Sequence, residues 1–137
     1  MIWEAYRKAA EIEDNEAQYK LAIHCIEEAK YRENIQKEGV FSSSINENKM
    51  KDLYQEGLSY LIAAENLGHI LAKRYHGLCH INGWGLTENK EKGFAMVVES
   101  INMENAWDKV PHIFASIGLN KPEFFEALTS LRNKKIT

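Results

Sequence analysis

A repeated spacing of apolar residues constrains this chain more than any other feature of its sequence. When Gly57 is set beside Gly93, an offset of 36 residues (93 − 57), the residues that follow also match by type. The matched pairs are Leu58 with Phe94, Leu61 with Val97, Ile62 with Val98, Asn66 with Asn102 and Leu67 with Met103. A repeat of this length is typical of helical hairpins that stack side by side, because each hairpin buries its apolar face only against its neighbours.

The composition favours helices throughout the chain. Only two prolines and eight glycines occur among 137 residues, and these are the two residue types that helix interiors tolerate least. Apolar residues at three- and four-residue steps predict helices that pair into hairpins. The hairpins span about 2–31, 49–83 and 88–118, and a C-terminal capping helix spans about 121–133. We therefore predict one all-α domain, a short right-handed α-solenoid of about three helix-turn-helix hairpins.

Between residues 32 and 48 the apolar periodicity disappears. This stretch is polar, with a glycine and three consecutive serines, so we predict a long loop over 32–48, and loops of that length are often functional. Val40 and Phe41 lie in its middle. Two interpretations remain open for this pair: both side chains pack onto the core and fix the loop, or both contact a partner.

Charge and hydropathy exclude several classes of protein. The net charge is −3 and no basic run is present, which argues against nucleic-acid binding. The charge is uneven, because residues 1–60 carry twelve acidic and eight basic side chains (−4), whereas 61–137 carry eight and nine (+1). Neither a signal peptide nor an apolar span long enough for a membrane is evident. We expect a soluble, cytoplasmic chain with no membrane contact; the periplasm is the alternative if an export signal has been removed.

The stretch AKRYHGLCHINGWGL, residues 72–86, resembles the second helix and turn of a Sel-one-like repeat, a relative of the tetratricopeptide repeat. The residues that fit the family pattern AQYNLGxMYxxGxGV are Ala72, Gly77, Gly83, Gly85 and Leu86. The segment 63–66, Ala-Ala-Glu-Asn, resembles the first helix of such a repeat, residues 6–11 and 17–22 resemble an earlier copy, and 94–119 a degenerate later one. The resemblance implies two to three repeats in a tetratricopeptide-like α-solenoid.

The same resemblance bears on the residues that could carry chemistry. His76 and His80 are four residues apart, a spacing that can hold a metal, but they fall where the family has packing residues, and no third ligand lies nearby in the sequence. Cys25 and Cys79 are far apart and outside any CxxC motif, so we expect buried free thiols. With no catalytic constellation in the sequence, we expect a non-enzymatic protein that has neither metal nor cofactor.

Proteins of this repeat family mostly act as adaptors, so the resemblance implies a protein partner. A small chain with degenerate copies and a large insertion resembles the bacterial immunity proteins that neutralise type VI or polymorphic toxins. The acidic first half would complement a basic toxin surface. The alternative is a regulatory adaptor or chaperone-like protein that binds a peptide in the concave groove. The sequence leaves the oligomeric state open.

Trp84 is the strongest candidate for partner binding in the sequence. It occupies the variable position of the Gly83–Gly85 turn, and exposed tryptophan is a frequent anchor of interfaces. The alternative is that Trp84 packs against the next hairpin, near Phe94. The predicted partner-binding residues are Trp84, Phe41, Val40, His69 and Trp107.

Overall fold

The computed structural model describes residues 4–5, 7–8, 14–39 and 41–136, with side chains up to Arg132, and no strand occurs among them. The helices are α1 (Asn15–Glu38), α2 (Ser44–Asn66), α3 (Ile70–Asn82), α4 (Lys90–Glu104), α5 (Val110–Ser116) and α6 (Pro122–Ile136). A 3-10 turn, Trp107–Lys109, precedes α5. The prediction of an all-α fold is confirmed for this part of the chain.

The beginning of the predicted first hairpin, which spans about 2–31, lies largely outside the described residues. Within it, Glu4, Ala5, Arg7 and Lys8 are helical. Arg7 forms an ion pair with Glu56 of α2. In the ranges that the structure describes, no helix is both long enough and apolar enough to cross a membrane.

The predicted loop over 32–48 is wrong. Helix α1 continues to Glu38 and ends at Gly39, whose φ of 79° lies in the left-handed region that favours glycine. Helix α2 begins at Ser44, and the side chain of Ser43 caps it by accepting a hydrogen bond from the Asn46 amide at 3.0 Å. The connection therefore spans only residues 39–43.

The reason for this error is that the end of α1 packs against α2 through polar side chains. Asn46 accepts a hydrogen bond from Arg32 Nη1 at 3.1 Å and donates to the Arg32 carbonyl at 3.0 Å. Its amide also donates to Gln36 Oε1 at 3.1 Å, and Tyr54 donates to Glu33. Apolar periodicity cannot detect a helix whose inner face is polar, although the pattern of i,i+4 charge pairs, such as Glu33 with Lys37, is compatible with one.

Residue pairs along the helices show how they are oriented. Asn15 of α1 bonds the carbonyl of Leu67, whereas Glu33 meets Tyr54, so α1 and α2 are antiparallel. Helices α3 and α4 are also antiparallel, because Ile81 borders Gly93 while Arg74 reaches Glu104. The two broadest interfaces are α1 with α2 and α3 with α4. In each of them, the two helices belong to successive predicted hairpins.

Helix α3 also lies beside α1, and the two run in the same direction. Glu16 contacts His69, Glu27 contacts Tyr75 and Lys30 contacts Trp84, so residue numbers rise together along both elements. One apolar cluster joins α1, α2 and α3. A second joins α3, α4 and α5, and α6 packs against it. Helix α3 thus contributes to both cores.

Glycines sit where the paired helices approach most closely. A Cβ on Gly57 would lie 2.7 Å from Ile26 Cγ1 and 3.1 Å from the Ala22 carbonyl oxygen. A Cβ on Gly93 would lie 2.8 Å from both the backbone nitrogen and the Cγ1 of Ile81. The two glycines that the 36-residue offset aligns therefore occupy comparable helix crossings, α2 on α1 and α4 on α3.

The segment that follows α4 differs in detail from the second helix of the predicted hairpin at about 88–118. Asn105 has a φ of 57° and ends α4, which asparagine tolerates better than most residues. Helix α5 starts only at Val110, after the 3-10 turn, and Pro111 lies in its first turn. Proline at that position removes no helical hydrogen bond, so it does not interrupt a longer helix.

Candidate protein-binding surfaces

Two exposed apolar side chains lie where α1 passes into α2: Phe41 in the connection and Ile45 in the first turn of α2. We call this pair the hairpin tip. Each side chain is 79% exposed. The backbone that holds them is fixed, because Ser42 Oγ donates to the Gly39 carbonyl at 3.1 Å and the Ser43 amide donates to Gln36 at 3.2 Å. Phe41 therefore does not pack onto the core; Val40 lies outside the described residues.

Trp84 packs against α1 as well as the core of the following helices. Its ring centroid lies 5.8 Å from that of Tyr75, and Lys30 Nζ lies 3.6 Å from the centre of the indole. Glu27 completes the group, since it accepts hydrogen bonds from Tyr75 at 2.7 Å and from Lys30 at 3.1 Å. Burial, followed by the hydrogen bond to Glu27, raises the pKa of Tyr75 far above its ordinary value. Trp84 is thus half-buried and joins α1 to the turn that follows α3.

His69 caps the N-terminus of α3. Its Nδ1 accepts a hydrogen bond from the Ala72 amide at 3.1 Å, so the proton is on Nε2, which lies 2.7 Å from Glu16 Oε2. The imidazole also stacks on Tyr19, with ring centroids 4.5 Å apart. Only 10% of the side chain is exposed. Both ring nitrogens are therefore occupied within the chain, and the cap position directly after Gly68 is the sequence feature that indicates this role.

Trp107 lies at the start of the 3-10 turn that precedes α5. Its Nε1 donates to Asn102 Oδ1 at 3.2 Å, and the guanidinium of Arg132 lies 5.2 Å from the indole centre. The side chain is partly buried against the second apolar cluster. Of the predicted residues with described side chains, Phe41 is the most exposed, and the structure does not gather the predicted residues at one site.

A groove lies between α2 and the turn over residues 83–87, and we call it the α2 groove. Its volume is about 770 Å³, and its apolar lining comes from Met50, Tyr54, Leu58, Ile62 and Leu86. Ile62 is 40% exposed there. No sequence pattern predicts this groove, because it forms only when the turn packs on α2. Glycine is needed at position 85 for the turn to approach α2, since a Cβ there would lie 2.8 Å from Tyr54.

Reactive groups in the structure are mostly buried. Cys25 and Cys79 are buried free thiols, as expected. Burial raises the pKa of Cys25 to about 11 and that of Cys79 to about 12, so neither is a nucleophile at neutral pH. Arg74 is also buried, and it is satisfied by Ser100 at 3.0 Å and Glu104 at 2.5 Å. Among the side chains that the structure describes, no group of three or more His, Cys, Asp or Glu is arranged to hold a metal ion.

Comparisons of the chain with protein-family models, with curated proteins and with solved structures find no match. Among the described residues, the chain is an all-helical protein. Its distinctive surfaces are the exposed hairpin tip and the α2 groove.

Proposed function

We propose that this chain is a non-enzymatic protein that binds another protein, and that the hairpin tip makes the central contact. The exposure of Phe41 and Ile45 carries this proposal. Aromatic side chains are enriched at interfaces, and a few apolar anchors supply most of the binding energy there. The hydrogen bonds of the connection order the backbone beside Phe41, which lowers the entropy lost when a partner docks.

The proposal includes a Sel-one-like repeat arrangement of the helices. Two features support it. Helices α1 and α3, the second helices of successive predicted repeats, lie side by side and parallel. Helices α2 and α4, the first helices, each cross the preceding second helix at a glycine, Gly57 or Gly93. Stacking of equivalent hairpins produces this relation between neighbours.

We further propose that the partner is a secreted bacterial toxin of the type VI or polymorphic kind and that the chain is its immunity protein. The hairpin tip belongs to the acidic half of the chain, where residues 1–60 have a net charge of −4. Glu38 and Glu47 flank the connection on either side. A basic toxin surface would be attracted to the acidic half of the chain as a whole, and complementary charge raises the association rate.

The test first asks whether a toxin-like protein is encoded next to this chain in its genome, and uses that protein as the partner. The affinity of the purified pair is measured by calorimetry for the parent and for the double variant Phe41→Ala, Ile45→Ala. We expect the double variant to bind at least ~30-fold more weakly, which corresponds to about 2 kcal/mol at an interface anchor. Tyr31→Ala is the matched control, because Tyr31 is also highly exposed, at 67%, but lies on α1 outside the hairpin tip.

Equal affinity of the double variant and the parent would contradict the role of the hairpin tip. Absence of a toxin-like neighbouring gene would contradict the immunity assignment but not protein binding itself. The two parts of the proposal therefore fail separately.

A specific observation favours a second candidate, an adaptor that holds a peptide in its concave groove. The α2 groove has an apolar floor and the volume of a ligand site. Ser59 lines it and is exposed, so Ser59→Trp would obstruct the groove without removing a buried contact. Loss of binding in Ser59→Trp with full binding by the tip variant would select the adaptor.

A further inference from the structure

A second groove lies between α4 and α6, and we call it the α4–α6 groove. Phe94 contacts Phe124 near the start of both helices, with ring centroids 5.7 Å apart. Towards their ends, Asn102 and Arg132 both contact Trp107. The two helices therefore run in the same direction, and their first turns lie at the same end of the groove.

The size and lining of this groove are those of a site for a small molecule. Its volume is about 470 Å³, and small-molecule sites are typically apolar cavities of this order with a few polar groups that fix the orientation of the ligand. The apolar lining residues are Phe94, Ala95, Phe124, Ala127 and Leu131. Two phenylalanine rings favour an aromatic occupant, because aromatic pairs add to the energy of apolar burial.

Charged side chains lie at one end of the groove. Glu91 and Glu123 line it, each from the first turn of its helix. Neither carboxylate forms an ion pair or a hydrogen bond with a side chain that the structure describes. Lys90 also lines this end, but its Nζ lies 3.6 Å from Glu88 Oε1, which offsets its charge.

This end of the groove stays negative when the helix dipoles are counted. The N-terminus of a helix carries about half a positive charge, whereas each glutamate carries a full negative one. Two helix starts and two glutamates therefore leave roughly one negative charge, and the pair of Lys90 with Glu88 adds none. A positive head group is attracted to this end, and a negative one is repelled.

We propose that the α4–α6 groove binds a small aromatic amine. The ring of the ligand packs on Phe94 and Phe124, and its ammonium group lies next to Glu91 and Glu123. The site is separate from the hairpin tip and the α2 groove, so it does not depend on a protein partner.

The experiment compares two probes of the same length and opposite charge, 4-phenylbutylammonium and 4-phenylbutyrate, in NMR titrations of the full chain. For the cation we expect a dissociation constant of roughly 0.1–1 mM, as for a probe of this size, and shifts of the Ala95 and Ala127 methyl signals. The anion should bind at least ~3-fold more weakly, and the difference should shrink at high salt. Equal affinity for the two probes would overturn the proposal.

Charge variants test the role of the two carboxylates. The double variant Glu91→Gln, Glu123→Gln should bind the cation ~5-fold more weakly, since exposed ion pairs are individually weak. Glu126→Gln is the matched control, because Glu126 is exposed on α6 but does not line the groove. An equal loss in both would refute the charge assignment. Lys90→Gln should tighten binding of the cation about 2-fold, a gain that a damaged fold does not produce.

A last variant tests the location of the probe. Ala95 lines the groove from an exposed position, so Ala95→Trp fills the groove without removing a buried contact. This variant should lose binding of the cation and keep the melting temperature of the parent. Unchanged binding would place the probe elsewhere and overturn the site. The chain should sediment as a monomer; a dimer that Ala95→Trp dissociates would show that a second copy fills the groove, and the proposal would fail.

Discussion

Replacing Gly93 with alanine is expected to destabilise the chain, even though alanine is the better helix former. The new Cβ would lie 2.8 Å from the backbone nitrogen of Ile81 and would also press on the carbonyl of Gly77. Backbone atoms cannot rotate away as side-chain ends do, so α3 and α4 must separate. At Gly57 the nearest atom is instead a side-chain carbon, Ile26 Cγ1 at 2.7 Å, with the Ala22 carbonyl at 3.1 Å.

These contacts set the expected magnitudes. Overpacking a tight core costs about 1–3 kcal/mol, and alanine recovers about 1 kcal/mol of helix propensity relative to glycine. With backbone contacts the upper part of the range applies, so the free energy of unfolding should fall by about 2 kcal/mol in Gly93→Ala. In Gly57→Ala, where Ile26 can shift, the net loss should stay below about 1 kcal/mol.

Urea unfolding followed by circular dichroism measures the loss of unfolding free energy in both variants, and thermal unfolding measures the melting temperature. The Gly93→Ala melting temperature should fall by roughly 5–10 °C for a domain of this size. Ala95→Gly on the exposed side of α4 serves as the control for propensity alone and should lose about 1 kcal/mol. If Gly93→Ala were as stable as the parent, α3 and α4 would not be in the close contact described. The expectation that Gly93→Ala loses more stability than Gly57→Ala would then have no basis.

Three further outcomes are expected. His69→Ala should lower the free energy of unfolding by about 1 kcal/mol, and His69→Asn, which keeps a capping acceptor, should recover most of it in urea titrations; equal losses would exclude the cap as the cause. The thiols of Cys25 and Cys79, with pKa values raised to about 11 and about 12, should react with a disulfide reagent at pH 8 only at the rate of unfolding, and fast reaction in the folded state would show that they are accessible. Because folding raises both thiol pKa values above the ordinary 9.0, their contribution to stability is complete below pH 9 and is lost as pH rises through 11 to 12; a urea midpoint unchanged over that range would contradict it.

The sequence predicted elements best where apolar spacing and a glycine agree. Gly83 was expected to end α3, and it does so with a φ of 69°. The region around residues 32–48 was predicted wrongly, because its helices pack through Asn46, Arg32 and Gln36. A polar interface has no apolar period, so the sequence alone does not reveal it.

At the candidate site, too, the sequence predicts the role of some residues and not of others. Core packing and partner contact were the two alternatives for Phe41, and the exposed side chain in the short connection excludes the first of them. The packing of Trp84 depends on Lys30, which is 54 residues earlier in the chain (84 − 30). No local pattern predicts a contact of that separation. His69, in contrast, was open to prediction as a cap, because it directly precedes α3.

Helix α3 is enclosed by its neighbours, which limits where a protein partner can bind. Tyr75 faces α1, Gly77 faces α4, and Ala72 belongs to the cluster shared with α1 and α2. Only the side with His76 and His80 borders the space between α2 and α4. The large apolar side chain that α3 exposes is Leu71, at 44%. A partner that buries a large apolar surface therefore has only a limited area to contact on α3 itself. The segment with the clearest family resemblance serves mainly to hold the fold, which is why the hairpin tip and the α2 groove are the better candidates for binding.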